Sequence, residues 1–285
     1  MLCDYHIHLV PDSHTQALVM NEAHLTRYIE YALSRGVTEI GISEHCYRFN
    51  EFKSIVEPLG EGPGAYREVK QFFSTAFLDH LGDYVAFLQK MQQKGYPVKI
   101  GLEVDYIVGQ EAQIAAVVQQ YSWDYLIGSV HFVAKWSVDA SPELGWPELD
   151  VDQVYNDYFA TWNQACASGL FTSMSHPDLV KKFGHVPRNS PVALYKSAAH
   201  AAAAAGVAVE VSSAGLRKPI GEIYPSMGLL KEFYAAGVPI TLGSDAHVAE
   251  DVGLQLDAAA NWARAAGYIQ HARFAAGKYE LVPLG

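Results

Sequence analysis

Residues 2–8 read Leu-Cys-Asp-Tyr-His-Ile-His, a short run that is typical of a buried strand and ends in two histidines. Side chains two positions apart on a strand leave the same face, so His6 and His8 can converge on one metal ion. Asp245 and His247 repeat this spacing after residues 240–243, the last strand that the sequence predicts. If the sheet closes on itself, the last strand lies beside the first and the two pairs become neighbours. The stretch 2–8 therefore predicts a strand that carries part of a metal site at its end.

Between these two strands, short apolar runs alternate with longer stretches of helical periodicity. This alternation predicts parallel βαβ units and hence an α/β fold. The seven predicted strands are residues 2–8, 37–43, 98–104, 125–130, 171–175, 207–211 and 240–243. The predicted helices are residues 21–35, 66–94, 110–120, 151–168, 191–205, 225–236 and 252–265. No linker divides the chain, and α/β barrels reach 285 residues as one unit, so we expect a single domain over residues 1–285.

Three stretches fall outside this alternation. Residues 46–65 are rich in glycine and proline, and because unstructured stretches of this length are usually functional, they are a candidate lid. Residues 134–150 form a second predicted loop. Residues 274–285 could add a closing strand, whose place in the fold the sequence does not give.

The ends of the predicted strands carry most of the titratable residues. In a parallel barrel, catalytic residues stand at the carboxyl ends of the strands, so this is where a site would form. Six histidines at this one type of position favour metal binding over a scatter of surface histidines. The strand-end residues are His6 and His8, Glu44 and His45, Glu103 and Asp105, His131, His176 and Asp178, Ser212 and Ser213, and Asp245 with His247.

The number of donors indicates more than one metal ion. With His14, whose place in a loop leaves its role open, nine imidazole and carboxylate donors are available. A catalytic zinc site uses three or four, so two or three ions are needed to use them all. Such donors suit Zn, Mn or Fe(II) and do not select among them. Three divalent ions would also move the formal net charge from −11 to about −5 and create a positive spot for an anion.

Composition excludes several other classes of protein. Hydrophobic residues make up 50% of the chain and charged residues 18%, a balance that argues against disorder. The formal net charge of −11 disfavours nucleic-acid binding. No apolar run is long enough for a membrane span, the first residues do not resemble a signal peptide, and three separated cysteines suggest neither a disulfide framework nor a zinc finger. We therefore expect a cytoplasmic protein with neither nucleic-acid nor membrane partners and with an oligomeric state that the sequence leaves open.

The motifs at the strand ends resemble those of the polymerase and histidinol phosphatase (PHP) superfamily. The resemblance rests on Asp4-Tyr5-His6-Ile7-His8, Ser43-Glu44-His45, Gly101-Leu102-Glu103, Gly128-Ser129-Val130-His131, Ser175-His176-Pro177 and Ser244-Asp245-Ala246-His247. It implies a distorted seven-stranded (β/α)7 barrel, with three divalent metal ions at the carboxyl ends of the strands. Carried over residue by residue, it implies one ion on His6, His8, Glu103 and Asp245, a second on Glu103, His131 and His176, and a third on His14, His45 and His247. Glu44 is then implied to orient a ligand.

The segment after the sixth predicted strand narrows the resemblance. Gly215-Leu216-Arg217-Lys218-Pro219 and Glu222-Ile223-Tyr224-Pro225-Ser226 resemble the histidinol-phosphate phosphatase branch. This implies hydrolysis of L-histidinol phosphate to L-histidinol and inorganic phosphate in histidine biosynthesis. Ser212-Ser213 and Cys46-Tyr47 depart from the pattern of that branch, so another small phosphate ester or a nucleotide stays an alternative substrate.

For a small phosphate monoester, we expect metal ions to polarise the phosphoryl group and to activate the attacking water. Arg217 is the predicted phosphate clamp because a guanidinium offers two parallel donors, and Lys182 is a second candidate. Asp245 could carry the proton of the water to the leaving alkoxide, with Asp178 as a rival acid and substrate contact.

The amine of histidinol would also require a carboxylate. Glu222 is a candidate, and Asp105 and Glu44 are alternatives between which the sequence does not choose.

Two further classes of protein stay open at this point. An amidohydrolase-type deaminase also begins with a His-x-His strand, but a shared Glu103 and the pair Asp245 and His247 fit it poorly. A metal-binding or sensing domain without catalysis would keep the cluster and turn over no phosphate ester. A metal count separates the first alternative from a phosphatase, and an activity assay separates the second.

Overall fold

The computed structural model describes residues 1–10, 15–62, 66–143 and 145–285. In these ranges, α-helices and strands alternate in the order that the sequence predicts. The strands are β1 (Leu2–Asp4), β2 (Val37–Ile42), β3 (Val98–Ile100), β4 (Glu103–Asp105), β5 (Ile127–Ser129), β6 (Phe132–Val133), β7 (Trp136–Ser137), β8 (Ser173–Met174), β9 (Ala208–Ser212), β10 (Ile240–Gly243), β11 (Gln270–Ala275) and β12 (Lys278–Pro283). The α-helices are α1 (Glu22–Ser34), α2 (Lys53–Val56), α3 (Arg67–Phe73), α4 (Leu81–Gln93), α5 (Glu111–Val118), α6 (Val151–Ala167), α7 (Val192–Ala205), α8 (Met227–Ala235) and α9 (Leu256–Ala266).

Eight of these strands pair in parallel and form two sheets. One sheet has the order β1-β2-β3 and the other the order β10-β9-β8-β5-β4. Irregular backbone joins them at both edges, where Tyr5 N donates to Leu242 O at 3.1 Å and Glu103 N donates to Glu44 O at 3.0 Å. The fold is therefore α/β with parallel sheets, as predicted. Regular strand pairing does not run around a complete barrel within the described ranges.

Helix α1 shows how local sequence sets an element in this fold. The side chain of Asn21 accepts a hydrogen bond from His24 N at 2.9 Å and so caps the first turn. The helix buries one face, with Leu25, Tyr28 and Ile29, against the sheets. Gly36 follows the helix with φ of +76°, a conformation that glycine adopts without steric cost.

The single strand predicted at residues 98–104 is instead two strands that belong to different sheets. β3 pairs with β2, whereas β4 pairs with β5, and the chain changes sheet at Gly101. The ring of Tyr125 occupies this corner, and its hydroxyl donates to Tyr5 O at 2.8 Å. A Cβ atom at position 101 would lie 2.2 Å from Cζ of Tyr125, and one at position 41 would lie 2.1 Å from its hydroxyl. Glycine at both positions therefore makes room for the buried ring.

The single helix predicted at residues 66–94 is also wrong, because the chain leaves helical geometry between α3 and α4. Phe77 N donates to Tyr47 O and Asp79 N donates to Arg48 O, both at 3.0 Å. Phe77 has φ of +61°, in the left-handed region. Pairing with the preceding segment thus replaces the helical hydrogen bonds at this point.

The two predicted loops contain regular structure. Residues 46–60 form short helical turns, including α2 and 3-10 turns at Cys46–Arg48, Asn50–Phe52 and Glu57–Gly60. Residues 134–150 include β7 and a 3-10 turn at Trp146–Glu148. Periodicity over so few residues gives no helical pattern, so the sequence could not indicate these turns.

The C-terminal segment forms the antiparallel hairpin β11-β12, so it pairs with itself. Phe274 is fully buried, with ring centroids 5.0 Å from Tyr5 and 5.1 Å from Tyr125. The hairpin thus covers a small apolar cluster that is separate from the main hydrophobic core. This cluster includes Cys3, Tyr5, Tyr125 and Phe274. Among the described residues, none of the helices combines the length and apolar character needed to span a bilayer.

The contact between Gly101 and Tyr125 predicts a stability effect. Gly101→Ala should lower the free energy of unfolding by about 1–3 kcal/mol, since the buried ring has no room to move away from the added methyl group. Urea denaturation measures this difference.

Gly82→Ala is the matched control, because Gly82 lies in α4 and the added Cβ atom would lie 3.7 Å from the hydroxyl oxygen of Tyr121, an ordinary contact distance. Alanine there should leave stability unchanged or raise it by up to about 1 kcal/mol. Equal stability of the two variants would contradict the proposed role of Tyr125.

Candidate metal centre

Glu103, at the start of β4, lies at the centre of a buried group of histidines. Its side chain is 1% exposed. Its Oε2 atom lies 3.2 Å from His6 Nε2 and 3.5 Å from His8 Nε2, yet Oε2 and these two nitrogens make no hydrogen bond. Buried polar atoms are normally satisfied, and unpaired donor atoms that converge in this way suit a bound cation. The residues present therefore fit a metal ion.

The same carboxylate also reaches histidines from three other strand ends. Its Oε1 atom lies 3.6 Å from His131 Nε2 and 3.3 Å from His176 Nε2, and its Oε2 atom lies 2.7 Å from His45 Nδ1. Ser129 donates a hydrogen bond to Oε1 at 2.6 Å and fixes the orientation of the carboxylate. One carboxylate with two oxygens so placed can bridge two ions.

Asp245 and His247 approach this group from the end of β10. Asp245 Oδ1 lies 3.7 Å from His6 Nε2 and 3.6 Å from His8 Nε2. Asp245 has φ of +51°, a left-handed conformation that aspartate tolerates better than most residues. His247 Nε2 lies 3.4 Å from His45 Nε2, and both rings stack on His8, with centroids 4.3 and 4.2 Å away. The closeness of the first and last strands thus agrees with the expectation from the sequence.

Three triads of these residues have ligand atoms within 4.8 Å of one another. They are His6, His8 and Glu103; His45, Glu103 and His131; and His8, His45 and His247. The structure therefore brings together eight of the nine predicted ligands, with His176 and Asp245 beside these triads. His14 lies outside the described residues. Which ion each residue binds stays a prediction.

Buried carboxylates hold the far nitrogens of the histidine rings. His6 Nδ1 donates to Glu210 at 2.8 Å, and His131 Nδ1 donates to Asp105 at 2.7 Å. Such bonds fix the ring so that Nε2 faces the cluster. Glu44 Oε2 lies 3.7 Å from His8 Nδ1, consistent with its expected orienting role. A Cβ atom at position 243 would lie 1.8 Å from Glu210 Oε1, so Gly243 provides the space that this pair occupies.

The carboxylates change the protonation of the histidines in the metal-free protein. Burial alone would lower the pKa of His6, but Glu210, Glu103 and Asp245 outweigh it and raise that pKa well above its ordinary value. The same balance raises the pKa of His8 to about 9, through Asp245 and Glu44, and that of His131 to about 10, through Asp105. Burial would raise the pKa of Glu103, but His6 and His45 hold it well below its usual range. Without metal, the cluster is a network of ion pairs.

The cluster borders a cavity of about 370 Å³. Five of the predicted ligands line it: His45, His131, His176, Asp245 and His247. Two lysines, Lys182 and Lys218, also line it, together with Asp139 and Glu68. The remaining lining includes aromatic and apolar side chains, among them Tyr47, Phe72, Phe132 and Tyr224. A cavity of this size and composition can hold a small molecule that carries an anionic group.

The structure brings only one of the predicted non-metal contacts, Lys182, to the cavity. Its Nζ atom donates to Asp139 O at 2.7 Å and pairs with Asp139 Oδ2 at 3.1 Å. Asp178 and Glu222 are not among the cavity-lining residues. Both pair with Lys181, whose Nζ atom lies 3.1 Å from Asp178 and 2.8 Å from Glu222. Both therefore belong to an internal ion-pair network, and their contact with a substrate stays a prediction.

Arg217, the predicted phosphate clamp, is not among the residues that line the cavity. Its Nη2 atom donates to the carbonyl oxygen of Ser244 at 2.6 Å, and Nε lies 3.6 Å from Asp251 Oδ2. Arg217 thus supports the backbone beside Asp245, while its neighbour Lys218 lines the cavity. The sequence motif at residues 215–219 indicates a basic residue near the site. The 3-10 turn Ser213–Arg217 decides which of the two adjacent basic residues faces the cavity.

The protonation state of the cluster predicts that metal uptake releases protons. A coordinating imidazole must be neutral, whereas His8 and His131, with pKa values of about 9 and 10, are protonated at neutral pH without metal. His6, whose pKa is raised as well, is in the same state, so we expect Zn²⁺ binding to the metal-free protein at pH 7 to release about three protons. Affinity should then fall as the pH is lowered and rise toward pH 9. Calorimetric titration in two buffers of different ionisation enthalpy measures the release, and identical heats in both would contradict it.

Asp105→Asn should weaken metal binding without unfolding the protein. The amide occupies the same space, but it is a weaker acceptor for His131 Nδ1, so it holds the ring less well and makes Nε2 a less basic ligand. We expect a loss of about 10- to 100-fold in metal affinity. Competition with a chelator measures the affinity, and circular dichroism checks the fold. Unchanged affinity would show that Asp105 does not position this histidine.

Comparison with known proteins gives one consistent family. The model of the PHP domain matches residues 6–214. A protein named "Probable histidinol-phosphatase" from Deinococcus radiodurans is 33% identical over 259 residues, which cover 89% of this chain and 89% of that protein. The histidinol-phosphatase of Bacillus subtilis is 27% identical over 256 residues, which cover 82% of this chain and 91% of that protein.

A similar solved structure is the histidinol phosphate phosphatase of Lactococcus lactis complexed with zinc, L-histidinol and phosphate. It superposes with a TM-score of 0.74 at 21% identity and covers 98% of both chains, which shows a common fold. The strand-end motifs, the cluster around Glu103 and the extent of these matches lead to the same conclusion: the chain belongs to the PHP domain family.

Proposed function

We propose that this protein is a metal-dependent phosphatase that hydrolyses L-histidinol phosphate to L-histidinol and inorganic phosphate, a step of histidine biosynthesis. One observation carries the proposal: histidines and carboxylates that can hold metal line a cavity that two lysines also line. The relatives named histidinol-phosphatase support this substrate. The Lactococcus lactis structure, which holds L-histidinol and phosphate, supports it as well, because these are the two products of that hydrolysis.

We infer that three divalent ions, Zn, Mn or Fe, bind at the cluster with the ligand groups that the resemblance implies. The overlapping triads of donor atoms support more than one ion, and the zinc of the Lactococcus lactis structure favours zinc. When bound, such ions supply Lewis acidity toward the phosphoryl oxygens and the attacking water. His14 would belong to the third group.

The residues of the cavity have separable roles in this proposal. Lys182 and Lys218 bind the anionic phosphate, since ammonium groups donate strong hydrogen bonds to phosphate oxygens. Asp245, which lines the cavity, accepts a proton from the attacking water and passes it to the leaving alkoxide. Arg217 acts behind it by holding the carbonyl of Ser244, so that Asp245 keeps its position.

The architecture belongs to the same proposal. We infer a single domain over residues 1–285, in which the two sheets together form a distorted seven-stranded barrel, with β3 and β4 as one interrupted strand. The hydrogen bonds that join the sheets at both edges support this arrangement. A cytoplasmic location, expected from the sequence, agrees with a role in amino-acid biosynthesis and stays a prediction.

Phosphate release from L-histidinol phosphate tests the proposed function. The metal-loaded protein is assayed beside sugar phosphates, amino-acid phosphates and nucleotides, and its metal content is measured on the same sample. We expect kcat/KM above about 10⁴ M⁻¹s⁻¹ for L-histidinol phosphate alone. A higher value for another ester would keep the phosphatase chemistry and overturn the substrate, and turnover of no ester would overturn both.

Lys218→Met should separate phosphate binding from metal binding. The loss of a charged hydrogen bond to the phosphate should lower kcat/KM by about 10- to 100-fold, while the metal content stays the same. Lys231→Met, at an exposed lysine of α8, is the matched control and should leave kcat/KM unchanged. Equal kinetics in both variants would remove Lys218 from the phosphate site.

A further inference from the structure

The cavity has an apolar part that the proposed chemistry does not use. Helix α3 contributes Glu68, Val69 and Phe72 to the lining, and their spacing places them on one face of the helix. The ring of Phe72 packs against that of Tyr47 at a centroid distance of 5.1 Å, and Tyr47 lines the cavity as well. A flat ring could lie against these aromatic side chains, with a carboxylate at their edge.

Glu68 is distinct among the carboxylates that line the cavity. Asp245 lies within 3.7 Å of the imidazoles of His6 and His8, and Asp139 pairs with Lys182 at 3.1 Å. Within the described ranges, the Glu68 side chain has neither an ion pair nor a hydrogen bond to the protein. It is therefore the cavity carboxylate whose charge is available to a cationic group of a ligand.

The carboxylates that the sequence suggested for this role are already engaged elsewhere. Glu222 pairs with Lys181, and Asp105 accepts from His131. Glu44 is fully buried and accepts from the backbone nitrogen of Leu9. To bind a substrate amine, each would have to leave a buried partner, which costs free energy.

We propose that Glu68 binds the ammonium group of the substrate and that Tyr47 and Phe72 receive its organic ring. This inference rests on the proposed function, since L-histidinol phosphate carries an ammonium group and an imidazole ring beside its phosphate ester. The phosphate lies toward the lysines and the histidine cluster, and the ammonium group lies toward α3. A cavity of about 370 Å³ accommodates a molecule of this size. Glu68 is thus a specificity residue that does not take part in the bond-breaking step.

Glu68→Gln tests the inference with two substrates, L-histidinol phosphate and 3-(imidazol-4-yl)propyl phosphate. The second ester differs from the first only in having a hydrogen atom in place of the amino group. The variant removes the charge and keeps the shape of the side chain. Because Glu68 is exposed, its ion pair is screened, and we expect kcat/KM for L-histidinol phosphate to fall by about tenfold, mainly through KM. For the amine-free ester, kcat/KM should stay within about twofold of the wild-type value.

Glu61→Gln is the matched control, because Glu61 is an exposed glutamate that is not among the cavity-lining residues. This variant should leave kcat/KM unchanged for both substrates. Glu68→Asp, which keeps the charge, should recover part of the lost selectivity for the amine.

The outcomes separate this inference from the proposed function. Suppose that the wild-type protein hydrolyses L-histidinol phosphate and that Glu68→Gln lowers kcat/KM equally for both substrates. Glu68 then acts on the metal site or the fold, and the inference is overturned. If Glu68→Gln changes kcat/KM for neither substrate, the amine is recognised elsewhere, which overturns the inference and leaves the proposed function intact. If the wild-type protein hydrolyses neither ester, the proposed function fails, and the inference fails with it.

Discussion

The structure depends on the burial of one carboxylate, Glu103, among five histidine rings. A buried charge is costly unless partners surround it, and removal of one partner leaves the rest uncompensated. Here the five histidines come from four different strand ends, so the cluster forms only when the strands are correctly arranged. His6 and His176, for example, lie within 3.3 Å of Glu103 although 170 residues separate them along the chain. The side chains of the site therefore come together only in the correctly folded chain.

Small residues at defined positions allow this convergence. Gly101 lets the chain pass from one sheet to the other shortly before Glu103. The ring of Tyr125 fills the space that is free because positions 41 and 101 are both glycine. Gly243 leaves room for Glu210 beside His6, and Asp245 adopts a left-handed conformation that directs its carboxylate toward His6 and His8. The cluster of donors around Glu103 thus depends on backbone geometry that a larger side chain at Gly101 or Gly243 would disturb.

The sequence indicates which residues meet around Glu103 because the spacing of residues on a strand is a strong local rule. Side chains alternate along a strand, so the sequence predicts that His6 lies beside His8 and Asp245 beside His247. The alternation of strands and helices in turn predicts the parallel sheets. The break at Gly101 and the break between α3 and α4 were missed, because each depends on contacts with distant segments, Tyr125 in one case and Tyr47 to Arg48 in the other. Glu210 sits in a predicted strand and carries no local signal that it faces His6.

The placement of cationic side chains was harder to predict for a related reason. Arg217, Lys218, Lys181 and Lys182 form two adjacent basic pairs, and in each pair one member lines the cavity while the other holds internal carboxylates or carbonyls. A short turn decides which member faces inward, and sequence patterns do not resolve turns of this length. Because Lys181 neutralises Asp178 and Glu222, and Lys182 neutralises Asp139, the basic pairs also determine which carboxylates remain available. The lysines around the cavity therefore determine, as much as its acids do, which carboxylate a cationic group could reach.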